Sequence, residues 1–561
     1  MMGKSVGLNS SSHHKEEWKS GRVESIKNFS NQAEYHLAIP RHRSLRQMKL
    51  NDLLEIIEDK EVIGERSLDV AGISYNSKKI DKNFLFVAIK GARFDGHNFV
   101  KEAIDKGARA VVVERMQEDI RDATIILVPD SRVALAKISA RFYGDPSSKL
   151  TLIGITGTNG KTTTSYLVES IFKEAGFKTG IMGTINYCYG GKSIPASMTT
   201  PESLDLQRML AEMVENGVTH VVMEVSSHAL DLGRVESIQF DAGVFTNFTQ
   251  DHLDYHQTME HYFSSKAKLF NHLLVESSKK KGSCAVINAD DPFGENLALN
   301  TIPNIIRYGV KNKFQVFPEH IKLALDGTTA RINTPRGSLN IKSPLMGEFN
   351  LYNILAAASV AVSQGVSFPN IEKGIESLDK VPGRFERIEN GEGINIIVDY
   401  AHTGDALERT LSTIKSLSKG KIITVFGCGG DRDRLKRPLM GAVSGKYSDL
   451  SIITSDNPRT EDPNTIIEGI EEGIKRLGIR KYCVDDLTVN SCKKGYVIVV
   501  DRLRAIRLAV DIAKYQDTVL IAGKGHEDYQ IVGNEKIPFD DRQEARNAIS
   551  ERLKRRALLN V

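Results

Sequence analysis

The fold is decided by one stretch of sequence, LTLIGITGTNGKTT, which spans residues 150–163. Its first half is apolar and rich in β-branched residues, which predicts a buried strand. A glycine-rich segment follows, and then a lysine and threonines that can open a helix. Backbone N–H groups in such a loop can approach phosphate oxygens, and the helix dipole adds to the attraction. The stretch therefore predicts a phosphate-binding loop on an α/β sheet.

The side chains of this loop suit a nucleotide. The strict Walker pattern has a glycine where this chain has Ile155, so the loop is a variant in which Gly157 makes part of the turn. Lys161 would reach the β- and γ-phosphates, and the Thr162 hydroxyl would favour Mg²⁺. The other interpretation is a tight strand-to-helix connection with a solvated lysine. We favour phosphate binding because strand, glycines, lysine and threonines occur in the required order.

Strands and helices alternate on both sides of the loop, which predicts a multidomain α/β protein. Turn-forming residues at 144–148 and 381–383 suggest boundaries that divide the chain into 48–147, 148–382 and 383–561. Strand candidates with polar or glycine-rich ends recur in the last part, at 394–398, 422–426, 450–454, 496–500 and 518–522. Ligands bind at the carboxyl ends of such strands, so we expect a site formed between domains.

Residues 1–47 differ from the rest of the chain because they are polar and lack sustained apolar periodicity. We expect a disordered extension, or a start assigned too far upstream with Met48 as the true initiator. An organellar transit peptide is a third interpretation, but Glu16 and Glu17 count against it. The sequence leaves the first two alternatives open.

The composition of the chain argues against several classes of protein. The net charge of +4 over 561 residues argues against a dedicated nucleic-acid binder. The five cysteines are scattered without CxxC spacing, which fits a reducing compartment better than disulfides or zinc clusters. No apolar run is long enough to span a bilayer. We therefore expect a cytoplasmic protein with no nucleic-acid partner and no membrane insertion. We also expect a monomer, although the composition does not bear on the oligomeric state.

The loop at 156–162, TGTNGKT, resembles the ATP loop of the Mur ligases, and the resemblance continues from about residue 70 through nearly the whole chain. It implies an ATP-dependent amide-bond-forming enzyme with Mg²⁺ as cofactor. The implied fold has a small N-terminal α/β domain for a UDP-linked substrate, a central P-loop ATPase-like domain with a mainly parallel sheet, and a C-terminal Rossmann-like domain. The residues it assigns to ATP are Gly157, Thr158, Asn159, Gly160, Lys161, Thr162, Thr163, Asn350 and Arg384.

The metal ligands follow from the same resemblance. Glu224 ends an apolar run, and the matching glutamate of the family binds Mg²⁺ together with the loop threonine, here Thr162. His252 and His256 have the i, i+4 spacing of a zinc pair, but a third convincing ligand is missing. The resemblance places His252 near Mg²⁺ and nucleotide instead. Lys266 would pass as an exposed helix lysine, yet it aligns with the lysine that Mur ligases carbamylate.

The UDP-linked substrate is expected to contact the first two domains. The segment 76–78 matches a first-domain motif that is usually Asp-Ser-Arg, so Asn76 and Lys78 depart from the pattern and Ser77 is retained. The segment 199–202 resembles a substrate-binding segment, although Thr200 could also be the N-cap of a helix. The residues assigned to this substrate are Ser77, Thr199, Thr200, Ser226 and Arg234.

Three segments of the last part, 427–433, 456–459 and 523–527, follow strands and could converge on one pocket. The word Asp-Asn-Pro-Arg at 456–459 resembles the form in diaminopimelate-adding Mur ligases, whereas lysine-adding members replace the arginine. A guanidinium can clamp the distal carboxylate of diaminopimelate, which lysine lacks. We therefore expect diaminopimelate to contact Arg432, Asp456, Asn457, Arg459, Gly523 and Glu527.

The resemblance also suggests the catalytic residues. Lys161, His252 and Lys266 would act at the phosphoryl group, while Asp399 and His402 are candidates for accepting the amine proton in the second half-reaction. Alternative functions are a folylpolyglutamate synthetase, a lysine-adding ligase and a catalytically silent Mur-like scaffold. Arg459 argues against the second, and the retained loop and metal residues argue against the third.

Overall fold

A computed structural model of the protein describes residues 47–91, 94–117, 120–279, 281–297, 302, 304–489 and 494–559. The predicted extension at 1–47 lies outside these residues apart from Gln47. Within them, three α/β sheets follow one another along the chain, which confirms the predicted fold class. The domain boundaries chosen from the sequence stay predictions.

The first sheet has five described strands, and parallel pairing joins all of them except the edge strand Glu61–Ile63. The sequence run 83–89 forms one of its inner strands, as predicted. From edge to edge the strands are Glu61–Ile63, Thr124–Leu127, Ala108–Val113, Phe84–Val87 and Gly72–Ser74. A short ladder pairs Met48–Lys49 with Asp69–Val70, and the helices of this part are Leu50–Leu54, Val100–Asp105 and Ser131–Tyr143, with 3-10 turns at Ser77–Lys79, Gly96–Phe99 and Pro146–Lys149.

The second sheet is the largest described, and its strand Thr151–Thr156 leads into the glycine-rich loop. Six of its eight described strands are parallel, and an antiparallel pair extends one edge. The order is Lys192–Pro195, Asn186–Tyr189, Thr179–Met182, His220–Glu224, Thr151–Thr156, Ala242–Phe245, Cys284–Asn288 and Asn304–Tyr308. The helices of this part are Lys161–Glu174, Ser203–Glu215, Ser227–Asp231, Leu253–His256, Met259–Lys268, Leu274–Glu276, Pro292–Glu295, Glu348–Ser363 and Phe368–Ser377, with a π-helical turn at Leu269–Leu273.

Both faces of the second sheet are buried, and successive side chains along a strand point alternately into the two cores. Leu152 and Met223 belong to the apolar core on one face, and their neighbours Ile153 and Val222 belong to the core on the other. Each such side chain contributes about 1.5–3 kcal/mol when fully buried. This two-sided burial explains why the strands are continuous apolar runs, as parallel strands covered by helices require.

An antiparallel three-stranded sheet in the second part was not predicted. Its strands are Phe317–Ala324, Gly327–Thr334 and Gly337–Ser343. One face is solvated, so buried and exposed residues alternate and no continuous apolar run marks the strands. Because only continuous apolar runs predict buried strands of this length, the sequence did not predict this sheet.

The third sheet contains all five strands predicted for the last part. The sheet has seven described strands, because an edge strand that was not predicted lies on each side of these five. In sheet order from the antiparallel edge, they are Glu386–Ile388, Asn395–Asp399, Thr518–Ala522, Ile422–Phe426, Leu450–Ile453, Gly495–Ile498 and Arg480–Lys481. The flanking helices are Gly404–Leu417, Lys436–Tyr447, Pro463–Lys475, Val484–Val489, Arg502–Ile512 and Asp541–Leu559, and a hairpin pairs Tyr529–Val532 with Glu535–Pro538. In the described part of the chain, no helix is both long and apolar enough to cross a membrane.

Candidate active site

The loop predicted to bind phosphate leads into the helix Lys161–Glu174. Gly157 has a φ of +141°, and a Cβ there would stand 1.9 Å from the hydroxyl oxygen of Thr246. Gly160 has a φ of +86°, and a Cβ there would stand 2.4 Å from Oδ1 of Asn353. Both positions combine a positive φ with no room for a side chain, so only glycine can follow this path.

A carboxylate lies beside the start of this helix. Glu224, the last residue of its strand, is 1% exposed. Its Oε2 accepts hydrogen bonds from the hydroxyls of Thr162 and Thr184, both at 3.0 Å, and its Oε1 accepts one from the Thr184 N–H at 2.9 Å. Hydroxyl and carboxylate oxygens are ligands that Mg²⁺ prefers. The donor set at Thr162 and Glu224 therefore fits this cation.

Two lysine amines converge on the same loop. The Nζ of Lys161 donates to the carbonyl oxygens of Gly157 and Thr158, both at 2.9 Å, and the Nζ of Lys266 donates to Gly157 at 2.9 Å. Lys266 is only 1% exposed, so the interpretation of an ordinary exposed lysine is wrong. Burial, followed by the charge of Lys161, lowers the pKa of Lys266 well below its usual value. The site therefore favours the neutral amine, which is the form that reacts with carbon dioxide.

His252 lies at the rim of the loop next to Asp251, with its Nε2 3.4 Å from a carboxylate oxygen. Burial lowers the pKa of His252 to about 4, so its ring is neutral near pH 7 and can act as a ligand. His256, the other half of the possible zinc pair, instead shares a hydrogen bond with the Ser227 hydroxyl at 2.9 Å. Among the residues that the structure describes, no group of metal-ligating side chains contains both histidines.

A cavity of about 530 Å³ lies beside the loop, between the second and third sheets. Arg384 reaches across it, since its Nη2 donates to the Thr162 hydroxyl at 3.1 Å and its guanidinium carbon lies 4.5 Å from the ring centre of Tyr400. Asn350 is buried beneath the cavity, and its Oδ1 accepts from the Nδ2 of Asn353 at 3.0 Å. Asn353 itself lines the cavity. Other lining residues include Asn159, Gly160, Thr163, Asn247, Asn288, Asp290, Tyr352, Asp399, His402 and Arg409.

The two candidate proton acceptors, Asp399 and His402, both line this cavity but differ in the hydrogen bonds that they make. Asp399 accepts hydrogen bonds from the N–H groups of Phe385 and Ala401 and from the Thr410 hydroxyl, and burial raises its pKa. The Nδ1 of His402 lies 2.8 Å from the backbone carbonyl oxygen of Tyr400, which fixes the proton on that nitrogen. Burial lowers the pKa of His402. A neutral ring with its Nε2 lone pair available makes His402 the better base.

Three of the predicted substrate residues form one network behind Glu224. The Thr200 hydroxyl donates to the Glu224 carbonyl at 2.9 Å and accepts from the Ser226 N–H at 3.1 Å. The Ser226 hydroxyl caps the helix that follows, and Arg234 donates to the Thr200 carbonyl at 3.3 Å. The network ties a cationic side chain to the strand that ends at Glu224.

Ser77 and Thr199 lie outside that network. The Ser77 hydroxyl donates to Glu102 at 2.9 Å in the first part of the chain. The Thr199 hydroxyl oxygen lies 3.1 Å from that of Thr184. Thr200 is not the N-cap of the next helix, because Glu202 occupies that position and accepts from the N–H of the following residue.

The predicted amino-acid pocket is assembled at the carboxyl ends of the third sheet. Arg459 is half-buried, and its Nη1 donates to the Gly430 carbonyl at 2.8 Å. The Nδ2 of Asn457 donates to Oε2 of Glu527 at 2.8 Å. Lys524, which was not predicted as a contact residue, is fully buried and donates to Glu527 at 3.0 Å and to Asn457 at 3.1 Å. A buried ammonium thus positions two of the predicted contact residues.

The other residues predicted to contact the amino acid lie around the hydrogen-bonded group of Asn457, Lys524 and Glu527. Asp456 is 6% exposed. Gly523 packs so closely against it that a Cβ on Gly523 would stand 2.5 Å from Oδ2 of Asp456. Arg432 is exposed and donates to the carbonyl of its own neighbour, Asp431. Burial, followed by the charge of Arg432, lowers the pKa of Arg459. Two guanidinium groups near one another favour an anionic group between them.

Aromatic contacts connect this pocket to the phosphate loop. The ring of Tyr400, which Arg384 covers, lies 5.1 Å from the ring of His526, the residue before Glu527. Tyr400 therefore links the lining of the cavity to the segment that carries Glu527.

Comparison with protein families finds three matching domain models that together cover most of the chain. The Mur ligase family catalytic domain matches residues 69–143, the Mur ligase middle domain matches 155–361, and the Mur ligase glutamate ligase domain matches 383–525.

Individual proteins match over the same range. A UDP-N-acetylmuramoyl-L-alanyl-D-glutamate--2,6-diaminopimelate ligase of Geobacter metallireducens is 49% identical over 90% of this chain and 99% of its own. One from Geobacillus kaustophilus is 45% identical over 90% of this chain and 100% of its own. A solved structure with the same enzyme name matches with a TM-score of 0.63 and 30% identity, over 90% of this chain and 99% of that one.

Proposed function

The chain belongs to the Mur ligase family, and we propose that it joins meso-diaminopimelate to UDP-N-acetylmuramoyl-L-alanyl-D-glutamate with hydrolysis of ATP, a step of peptidoglycan precursor synthesis. The observation that carries the proposal is the pocket around Arg459, Asn457 and Glu527 beside a glycine-rich loop. Relatives with this enzyme name align over nearly their whole length.

Selection of the amino acid rests on charge. Diaminopimelate ends in a carboxylate and an ammonium, and the pocket offers Arg459 and Arg432 for the first and Glu527 and Asp456 for the second. Lysine would leave the half-buried guanidinium of Arg459 without an anion, which costs roughly 2–4 kcal/mol if the closed pocket is dry. That difference corresponds to a preference of about 30- to 1000-fold.

The first half-reaction activates the acceptor. An oxygen of its D-glutamate carboxylate attacks the γ-phosphorus, the bond to the β-phosphate oxygen breaks, and an acyl phosphate and ADP result. Lys161 and the loop N–H groups offset charge on the phosphoryl oxygens. Mg²⁺, which Thr162, Glu224 and a carbamylated Lys266 would hold, supplies further neutralisation of that charge.

The second half-reaction forms the amide. The neutral amine of diaminopimelate attacks the acyl carbon, the C–O bond to phosphate breaks, and one amine proton must leave. His402 is the base that we assign, because its Nδ1 proton is fixed by a carbonyl and its Nε2 lone pair is available. Asp399 would orient the segment, since it holds the N–H groups of Phe385 and Ala401.

We extend the proposal to the remaining predicted roles. Ser77, Thr199, Thr200, Ser226 and Arg234 would hold the UDP-linked acceptor, and the protein would act as a monomer in the cytoplasm. The cationic Arg234 suits an acceptor that carries carboxylates and a pyrophosphate, and the scattered cysteines suit a reducing compartment.

A phosphate-release assay over a panel of amino acids tests the proposal. We expect turnover only when ATP, Mg²⁺, the UDP-dipeptide and diaminopimelate are all present. Equal turnover with lysine would contradict the role of Arg459, glutamate-dependent turnover on a folate acceptor would indicate a folylpolyglutamate synthetase, and no turnover with any acceptor would indicate a silent scaffold.

A variant series locates the pocket. Arg459→Ala should raise the KM for diaminopimelate at least about 30-fold, with little change in the KM for ATP. Arg476→Ala, which removes an exposed guanidinium of the same domain, is the matched control and should leave both constants unchanged. Equal increases in both KM values would contradict the assignment of Arg459 to the amino acid.

A further inference from the structure

Three side chains with metal-ligating atoms meet next to the active site, on a face that the proposed reaction does not use. They are Asp231 at the end of one helix, His256 at the end of the short helix Leu253–His256, and His261 in the helix Met259–Lys268. Each offers a ligand atom, and the three atoms lie within 4.8 Å of one another. Two imidazoles and a carboxylate form a common donor set for zinc-type ions.

The hydrogen bonds of His261 leave one of its nitrogens facing an anion. Its Nδ1 lies 3.0 Å from the carbonyl oxygen of His256, which can only accept, so Nδ1 carries a proton. Its Nε2 lies 3.2 Å from Oδ1 of Asp231. In the neutral ring, a lone pair of Nε2 would face a carboxylate oxygen that also has only lone pairs to offer. A proton on Nε2 or a metal ion between the two atoms turns this repulsion into attraction.

His256 has an unused nitrogen as well. The residue is 1% exposed, and its Nε2 shares a hydrogen bond with the Ser227 hydroxyl at 2.9 Å. Its Nδ1 is buried and has no hydrogen-bond partner among the residues that the structure describes. A buried polar atom without a partner costs about 1–3 kcal/mol of folding free energy, and coordination of an ion through Nδ1 would offset this cost.

We propose that Asp231, His256 and His261 bind a divalent transition-metal ion of the zinc type, with water at an open position. The site differs from the Mg²⁺ site at Thr162 and Glu224 because nitrogen ligands select zinc-type ions over Mg²⁺. Amide formation from ATP requires no ion here, so the inference goes beyond the proposed function.

One cation of the protein competes for the same carboxylate. The Nζ of Lys268 lies 3.4 Å from Oδ1 of Asp231, but its side chain is 44% exposed and can turn to solvent. The His261 side chain is 47% exposed, which gives an ion a path from solvent. The Ser265 hydroxyl also donates to Oδ1 of Asp231, at 3.2 Å. Release of Lys268 and a turn of the Ser265 hydroxyl are therefore the rearrangements that binding requires.

The ion would tie together segments that serve the active site. His261 lies on the helix that carries the buried Lys266, and His256 ends the segment that begins near His252. An ion that binds the folded chain in preference to the unfolded chain raises the midpoint of thermal unfolding by mass action. The predicted role is to stabilise the position of Lys266.

The test is equilibrium dialysis and thermal unfolding of the full chain with ZnCl₂, in millimolar Mg²⁺ so that oxygen-rich sites are occupied. We expect the wild type to bind Zn²⁺ and to gain thermal stability. His261→Gln should weaken this binding about tenfold or more and abolish the gain. Asp231→Asn, which preserves side-chain volume, should do the same if it folds.

Matched variants separate this site from others. His272→Gln alters a second carboxylate–histidine group, Glu236 with Glu276, and should leave the Zn²⁺ response unchanged. Lys268→Met removes the competing cation and should tighten binding. Wild-type protein that binds no Zn²⁺ at micromolar concentration, or a His261→Gln protein that binds as tightly as the wild type, would overturn the proposal.

Discussion

The amine of Lys266 lies where its charge is disfavoured. It is buried, it lies 4.4 Å from the ring centre of Tyr262, and it shares an acceptor with the amine of Lys161. A lysine in this position is costly as a cation, whereas a carbamate would be an anion facing Lys161 and a metal ion. Burial thus turns an ordinary side chain into a candidate ligand.

Replacement of Lys266 tests this chemistry. Lys266→Gln should lower kcat by about 100-fold or more, because a metal ligand is lost. Wild-type activity should fall in buffers freed of carbon dioxide and return with bicarbonate, while the variant responds to neither. Steady-state phosphate release measures both effects. Lys373→Gln, an exposed helix lysine, is the control, and a bicarbonate-independent wild type would contradict carbamylation.

At the scale of elements, helix ends show how local sequence sets structure. Asp130 precedes the helix Ser131–Tyr143, and its Oδ1 accepts from the N–H groups of Arg132 and Val133 at 2.8 and 3.0 Å. Gly144 ends the helix with a φ of +76°. The cap satisfies N–H groups that have no partner within the helix, and the carboxylate also suits the positive end of the helix dipole.

Loss of this cap should destabilise the first part of the chain. Asp130→Ala should lower the free energy of unfolding by about 1 kcal/mol, and Asp130→Asn by less, because the amide oxygen can still accept. Urea unfolding followed by circular dichroism measures the change. Asp105→Ala removes an exposed acid from the negative end of a helix and should be neutral or slightly stabilising. Equal losses for the two alanine variants would contradict the capping argument.

At the scale of the whole molecule, contacts between the second and third sheets complete the nucleotide cavity. Asp405, near the start of the helix Gly404–Leu417, accepts from Asn159 of the loop at 3.3 Å and from the Thr249 hydroxyl at 3.1 Å. Arg384 adds its bond to Thr162. Because these contacts join residues far apart in sequence, the loop geometry depends on how the C-terminal part docks.

Removal of the Asp405 carboxylate tests this dependence. Asp405→Ala should lower kcat/KM for ATP about tenfold, which corresponds to the loss of about 1.4 kcal/mol from two hydrogen bonds. Glu408→Gln is the control on the same helix, because Glu408 bonds only to Lys446 and Tyr447 of its own part. An effect of similar size in both variants would indicate general loss of helix stability.

The sequence by itself determined the α/β class, the loop and the strands whose ends carry the site. Continuous apolar runs such as 422–426 and 518–522 mark buried parallel strands, and their observed bounds agree with the prediction. Gly157 and Gly160 marked the loop because backbone conformation is a local property. Strands with one solvated face carry a weaker signal, and the sheet containing Gly327–Thr334 was missed for that reason.

Only the tertiary structure decided which side chains meet and which are removed from water. Lys266 looks exposed in its helix, and Lys524 looks like one more residue of a glycine-rich turn, until other elements cover them. Spacing put His252 and His256 together as a possible pair, whereas in the structure His256 lies with His261 and Asp231, which come from three elements. Local periodicity records which face of an element is apolar, whereas the pKa and the partners of a side chain depend on residues that approach from distant positions in the chain.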